Sequence, residues 1–394
     1  MPLSIQSLFN STKDIYRLKV LAGGQGMTNP VSWMYYTEDA STIDFIRGGE
    51  LAITTGMSIS RHITNTGTDD PKYAGEYLSM LINKLVEQHA SGLIINNGHY
   101  IQEVPKKVIT LCDKLNFPLL SMPWEIHMID IMQDYGNRIV NDRQKRLTLA
   151  QTFYDALFHH ENFHLSQLEN TSFAGATCFS IILLELPDEL FRKDDEELNR
   201  YIDYSFNGKL QLQPASFCYL IHDHKIVYVL HEDPRVASEA IAKMCTVDKL
   251  FADKHIGVSN VCTSIEDLHK EYAHAELALK FEEKNISYYN NLGIFKLLAE
   301  VQDRRVLEQM YDDVLGKLSV FSNDKRADYL KTLRLYLATS GKVQLTAEEN
   351  STHRNTINYR IHKIRDILGV DLQDGDVRYL IQTALYIRDL LDVL

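Results

Sequence analysis

From His353 to Arg365 the chain reads HRNTINYRIHKIR, with four Arg or Lys and no Asp or Glu, in a protein of formal net charge -12. The carboxamides of Asn355 and Asn358 can pair bidentately with adenine edges, while Arg354, Arg360 and Lys363 offer cations to phosphates or guanine. His353, Thr356 and Tyr359 add further hydrogen-bonding groups to the same stretch. Nucleic-acid recognition is one chemistry this set supports. A plain solvated cationic helix uses the same residue types, and periodicity and charge leave both readings open.

The element that must carry these groups is visible in the spacing. Ile357, Ile361, Ile364 and Leu368 recur at i, i+4, i+7 and i+11, a narrow apolar stripe of helical period. At about 100° per residue, Asn355, Asn358, Tyr359 and His362 fall opposite that stripe, with Arg354 and Arg360 at its margins. Ser351 or Thr352 is expected to cap this helix at its start, and Gly369 to end it. Ala347 sits in a short helix-compatible segment just before. A short helix, a tight turn and a second helix with base-reaching residues near its N-terminus describe a helix-turn-helix.

A second set could hold a small molecule. Glu38, Glu50, Thr54, Thr55 and Gly56 are expected to gather at strand ends, where open α/β sheets receive ligands. Asn96 and Asn97 follow another strand candidate, and Trp124 could stack on a planar ring. The same residues also suit a structural reading, with Gly48-Gly49 making a turn and Glu50 capping a helix or pairing with a lysine.

Four domains or segments position these sets. Residues 1–125 alternate strands (Val31–Tyr36, Leu51–Thr55, Leu93–Ile95, Phe117–Met122) with helical stretches (Tyr73–His89, Val104–Leu115), which implies an α/β domain with a largely parallel sheet. Residues 126–170 read as one long helix, its apolar side drawn from Ile129, Met132, Ile139, Leu147, Phe153, Leu157 and Phe158. Such a helix either pairs with a second copy or packs on its own domain.

Residues 171–290 have an α+β rhythm. Their expected elements are a strand at Phe179–Leu186, a hairpin of Phe217–Ile221 and Lys225–Leu230 joined by His222, Asp223 and His224, and helices at Pro234–Leu250 and Ser264–Lys280 around a strand at Ile256–Val258. Residues 291–394 read as all-α, with the helix-turn-helix at about 331–369.

Other chemistries are poorly supported. No GxSxG, P-loop or HExxH occurs, so no catalytic residue, metal or cofactor is expected and the chain reads as a non-enzyme. His222 and His224 flank one Asp at a turn, where solvation is the usual fate, and His159, His160 and His164 would need a partner's ligands to hold a metal. Cys112, Cys178, Cys218, Cys245 and Cys262 form no CxxC pair and read as buried, reduced thiols. No apolar run approaches the roughly 20 residues of a membrane span, and the first residues lack a signal peptide's pattern, so a cytoplasmic location is expected.

The motifs together resemble a known family. His353-Arg354-Asn355-Thr356, Tyr359-Arg360 and Lys363-Ile364 are similar to the C-terminal helix-turn-helix signature of PucR-type regulators, the purine catabolism regulator family. Thr332 to Leu337 resembles the preceding helix, and Gly369-Val370-Asp371-Leu372 with Leu380, Ala384, Ile387 and Leu391 the closing elements. Trp33 to Gly56, above all Gly48-Gly49-Glu50-Leu51 and Thr54-Thr55-Gly56, resembles the N-terminal effector domain. Gly257-Val258-Ser259 and the stretch from Glu271 to Leu279 resemble the degenerate GGDEF-like middle domain of such regulators. One departure stands at the turn, where Asn350 and Thr352 replace the family's usual Leu and Val or Ile.

The resemblance implies a ligand-responsive, DNA-binding transcription regulator of a catabolic pathway, with double-stranded operator DNA as partner. The implied effector is a purine, a ureide or a related nitrogenous metabolite, and the assembly a homodimer or higher homo-oligomer. A diguanylate cyclase would need a Gly-Gly-Asp/Glu-Glu-Phe turn, and the corresponding turn here reads His222-Asp223-His224-Lys225. A scaffold without DNA binding, and a nucleotide-metabolising enzyme built on the middle domain, are the alternatives to the regulator.

Overall fold

The computed structural model describes residues 2–59, 71–210, 212–213, 215–281 and 285–393. The chain divides into two units, residues 1–286 and 287–394.

The first sheet of the N-terminal unit has the order β1-β5-β4-β3-β2, with β1 at Lys19–Ala22, β2 at Trp33–Tyr36, β3 at Glu50–Thr54, β4 at Gly92–Asn97 and β5 at Leu119–Pro123. Strands β2 to β5 are mutually parallel, and β1 pairs antiparallel with β5. The alternation of strands with α2 (Pro71–Glu87) and α3 (Lys106–Leu115) is what the sequence led one to expect. The edge strand β1 and the first helix α1 (Ile5–Thr12) were not legible, because neither carries a long periodic pattern.

Every residue of β3 is buried, as are the first five of β4. A parallel strand covered on both faces must be apolar throughout. On one face Ala52, Leu93 and Ile95 pack with Leu78, Leu81 and Leu85 of α2 and Val108 of α3. On the other, Leu51, Ile53 and Ile94 pack with Ile5 and Leu8 of α1.

Helix α4 (Met128–Phe158) is about 46 Å long at 1.5 Å per residue. It ends at Phe158, short of the expected limit near residue 170, and gives way to short 3-10 turns at His160–Asn162 and Leu165–Leu168. Its apolar side is two separate seams rather than one. Ile131, Tyr135 and Ile139 bury against the first sheet, and Phe153, Ala156 and Leu157 against the second. Ile129 and Leu147, expected on the apolar side, are exposed.

The second sheet includes the order β9-β6-β8-β7, with β6 at Ser180–Glu185, β7 at Phe217–His222, β8 at Lys225–Leu230 and β9 at Ile256–Val258. These pairs are antiparallel. The β7–β8 hairpin turns on two residues, Asp223 and His224, at φ 46 and 58°. A two-residue turn of this hand matches the twist of the paired strands. His222 therefore belongs to the strand, not the turn. Its ring packs 4.0 Å from that of Phe158, and His224 stacks 3.7 Å from Phe191, so neither ring is simply solvated. Burial pushes the thiols of Cys112, Cys218 and Cys245 up to about 12, as suits packed reduced cysteines, while Cys178 and Cys262 are only partly buried.

Between β6 and β7 the chain forms α5 (Asp195–Arg200) and a π-helical turn at Tyr201–Phe206. Helices α6 (Pro234–Val247) and α7 (Leu268–Lys280) follow β8 and β9.

The C-terminal unit is helical. Its helices are α8 (Ile294–Ala299), α9 (Arg304–Leu315), α10 (Asn323–Ala338), α11 (Val343–Glu349), α12 (Arg354–Leu368) and α13 (Gly375–Val393). Their shared core includes Leu330, Leu333 and Tyr336 of α10, Ala347 of α11, Ile357, Ile361, Ile364 and Leu368 of α12, and Ile381 and Ala384 of α13. No described helix is long and apolar enough to cross a membrane.

Candidate nucleic-acid interface and effector edge

The apolar stripe of α12 is buried as its spacing requires, which turns the opposite face outward. His353, Arg354, Asn355, Asn358, Tyr359, His362 and Lys363 are all exposed, and Thr356 is half-buried. Helix α11 and the turn at Asn350–His353 precede this face, and Gly369 ends α12 in the left-handed region at φ 71°.

The cap falls one residue later than expected. Neither Ser351 nor Thr352 caps α12; His353 does, its Nδ1 accepting from the Asn355 N–H at 3.2 Å. Ser351 instead supplies the turn, at φ 51°. The Thr352 hydroxyl donates to the Asn350 carbonyl at 2.8 Å, and the Thr352 N–H to the Ala347 carbonyl at 2.9 Å. At the two positions that depart from the family pattern, hydrogen bonds close the turn where that pattern has apolar side chains.

Arg360 lies differently from the other expected contacts. Its guanidinium reaches across to α10, donating to Asp328 at 2.9 Å and to the buried Thr332 hydroxyl at 3.0 Å. Arg365 likewise pairs with Asp371 at 3.3 Å. Of the four cations in this stretch, Arg354 and Lys363 carry no acidic partner among the described residues. The face that remains is two free cations, two carboxamides, two imidazoles and a phenol on one rigid helix. That face can meet phosphates and base edges together.

The expected effector residues do not form one cluster. Glu50 begins β3, whereas Thr54 ends it, about 13 Å away along the strand. The Glu50 carboxylate accepts from the N–H groups of Arg47 at 3.1 Å and Gly48 at 2.8 Å, so it closes the Gly48-Gly49 turn. Glu38, Thr54, Thr55 and Gly56 do come together at the C-terminal edge of the parallel strands. Glu38 accepts from the Thr55 N–H and hydroxyl, each at 2.6 Å, and from the Met57 N–H at 2.8 Å. Its carboxylate is thereby spent on holding the loop.

Asn96 is buried and donates to the Pro123 carbonyl at 3.0 Å, a role in fastening β4 to the segment after β5. Trp124, at the same edge, is partly exposed with its ring 5.7 Å from that of His99 and 5.6 Å from that of Tyr100. His99 and Tyr100 carried no periodic or motif signal, and only the loop geometry joins them to Trp124.

Below the opposite edge lies a cleft of about 1590 Å³, lined by Arg47, Gly48, Gly49 and His89 on one side and Arg200, Tyr204 and Lys209 on the other. Beside it Arg146 of α4 donates to both carboxylate oxygens of Asp203 at 2.8 Å, and Tyr219 of β7 donates to Asp203 at 2.8 Å. Burial would lower the Arg146 pKa, but the adjacent Asp203 carboxylate outweighs it and holds the guanidinium charged.

Comparison with known proteins places both ends of the chain. Residues 11–139 match the purine catabolism regulatory protein-like family, PucR, and residues 329–387 match the PucR C-terminal helix-turn-helix domain. Three Bacillus subtilis proteins are similar. The proline-responsive transcriptional activator PutR is 31% identical over 151 residues, spanning 36% of this chain and 37% of PutR. The DNA-binding transcriptional activator AdeR is 21% identical over 242 residues, spanning 58% of this chain and 56% of AdeR. The purine catabolism regulatory protein is 25% identical over 144 residues, spanning 36% of this chain and 24% of that protein. The chain thus spans less than two thirds of each of these relatives. The chain carries a region similar to the PucR domain towards one end and a region similar to the PucR helix-turn-helix towards the other.

Proposed function

We propose that this chain is a ligand-responsive transcription regulator that reads operator DNA through α12. The observation that carries the reading is the outward face of that helix, where Arg354, Asn355, Asn358 and Lys363 stand exposed over a fully docked apolar stripe. The nucleic-acid half of a helix-turn-helix needs this arrangement, because phosphate contacts fix the register and base contacts choose the sequence. The N-terminal α/β domain is the effector sensor, the GGDEF-like middle segment and α4 relay its state, and the chain works as a cytoplasmic homodimer on paired half-sites.

The regulated pathway is a catabolic one acting on a small nitrogenous compound, a purine or ureide among them; the similarity to proline-responsive PutR makes an amino acid a competing effector class. The chain is read as a regulator and not as an enzyme. Effector can change DNA binding only by favouring one of two arrangements of the chain.

The test is retention of DNA fragments from upstream of the protein's own gene and its neighbours, at two salt concentrations and against nonspecific competitor. Selective retention that weakens with salt and disappears in an Arg354→Ala/Asn355→Ala double variant supports the regulator. Absence of selective retention in the parent chain, unchanged in the double variant, favours a ligand-controlled scaffold. Turnover of GTP with magnesium by the parent chain would point to an enzyme instead.

A further inference from the structure

The cleft below the N-terminal edge of the first sheet is assembled from segments that lie far apart in sequence. Arg47 comes from the turn before β3, Lys209 from the 3-10 turn after the π-helical one, and Lys249 from the turn after α6. All three line the one cleft, and all three are exposed. None has an acidic partner among the described residues. The acids of the same wall are already engaged within the chain. Asp194 accepts from the Glu197 N–H at 2.8 Å, and the Glu197 carboxylate meets Lys193 at 3.2 Å. Asp248 accepts from the Tyr201 hydroxyl at 2.6 Å and from the Leu250 N–H at 3.1 Å, and Glu196 faces Arg200 at 3.7 Å. The two banks touch at glycines. A Cβ on Gly208 would lie 2.6 Å from Pro30, and one on Gly49 would lie 3.3 Å from the Tyr204 ring.

Unpaired like charges gathered in one concavity repel one another, and the field they focus draws an anion. From this juxtaposition we infer that the cleft binds a small, multiply charged anion, a phosphorylated or polycarboxylate metabolite, between Arg47 on one bank and Lys209 and Lys249 on the other. An anion held from both banks favours the arrangement in which they meet, because a ligand shifts a population towards the state it binds better. The cleft is then the site of a second effector, at the opposite edge of the sheet from Trp124. Its regulatory meaning rests on the function proposed above, but its binding step needs no DNA.

The test is calorimetric titration of the full chain with tripolyphosphate and with citrate at constant ionic strength. The expected result is a single saturable site, weakened about tenfold in Arg47→Gln and about as much in Lys209→Gln/Lys249→Gln. These side chains are exposed, so the melting temperatures of the unliganded variants should match the parent. Lys145→Gln, an exposed cation of α4 outside the cleft, and Arg354→Ala/Lys363→Ala on the α12 face should leave the affinity unchanged. Binding of tripolyphosphate without citrate assigns the cleft to phosphorylated compounds, and the reverse assigns it to polycarboxylates. No saturable binding of either anion overturns the proposal. So does an equal loss in the Lys145 or α12 variants, or sensitivity confined to one bank. DNA retention measured on the same preparations separates the two readings: anion binding without any DNA retention leaves the cleft standing and removes the regulator.

Discussion

The Arg360 guanidinium and the Asp328 carboxylate, 32 residues apart in sequence, meet at 2.9 Å and clamp the recognition helix α12 to α10. The pair is half in solvent, with Arg360 side-chain exposure of 20% and Asp328 of 58%. Its contribution is therefore modest, but it ties down a cation that the helical spacing places at the margin of the apolar stripe, and so withdraws it from the outward face proposed to meet DNA.

Arg360→Met should lower the stability of the chain by about 1 kcal/mol, combining a part-exposed pair and the bond to Thr332. It should leave the salt dependence of DNA retention nearly unchanged. Arg354→Ala should reduce the slope of log affinity against log salt by about 1, the signature of one lost phosphate contact. Urea melts and salt titrations on both variants check the division. Equal slopes for the two variants would mean that Arg360 swings out to DNA.

At the junction of α4 with the second sheet, Arg146→Met should cost about 3–5 kcal/mol, because it strands Asp203 in a largely buried site. Asp203 would retain only the Tyr219 hydroxyl. An Arg146→Met/Asp203→Leu double variant should recover most of that loss, since two apolar groups leave no orphaned charge. Denaturant melts of the single and double variants decide it.

Buried and half-buried phenols set an alkaline limit, Tyr135 and Tyr204 among them. Burial pushes Tyr135 and Tyr204 up to about 12, above the ordinary 10 of the unfolded chain. The folded state thus keeps protons that the unfolded state has released. Their contribution is fully present below pH 10 and is lost as pH rises from 10 towards 12. The melting temperature should hold level to about pH 9 and fall beyond 10. Tyr135→Phe should make that fall shallower. It should also cost about 1 kcal/mol at neutral pH through the lost bond to Thr12, 2.7 Å away.

Gly98→Ala should destabilise the N-terminal unit by about 1–3 kcal/mol, since its Cβ has no room beside Trp124. In the Trp33→Phe background the same change should shift Trp124 emission towards that of a solvated indole. Unaltered emission and an unaltered urea midpoint would show that the loop does not need glycine there.

What the sequence determined by itself is what local period can encode. The buried stripe Ile357, Ile361, Ile364 and Leu368 declared both the helix and its outward face, because burial on one side leaves the opposite side to solvent. The apolar runs of β3 and β4 declared a sheet covered on both faces for the same reason. The most specific family signatures, Gly48 to Gly56 and His353 to Ile364, were equally local.

The fates of individual polar groups were decided only by the tertiary structure. Arg360 was drawn off the outward face of α12 by a carboxylate that lies on another helix. The α12 cap passed from Ser351 or Thr352 to His353 once Ser351 took up the left-handed turn conformation. Glu38 and Glu50 were parted by the length of a strand and each spent on backbone N–H groups, while Asn96 donates its Nδ2 to backbone carbonyls and the adjacent Asn97 keeps a buried Oδ1 without a partner. Period says which face a residue occupies. Which hydrogen-bond partner waits there depends on segments distant in sequence, and only the packed chain brings those together.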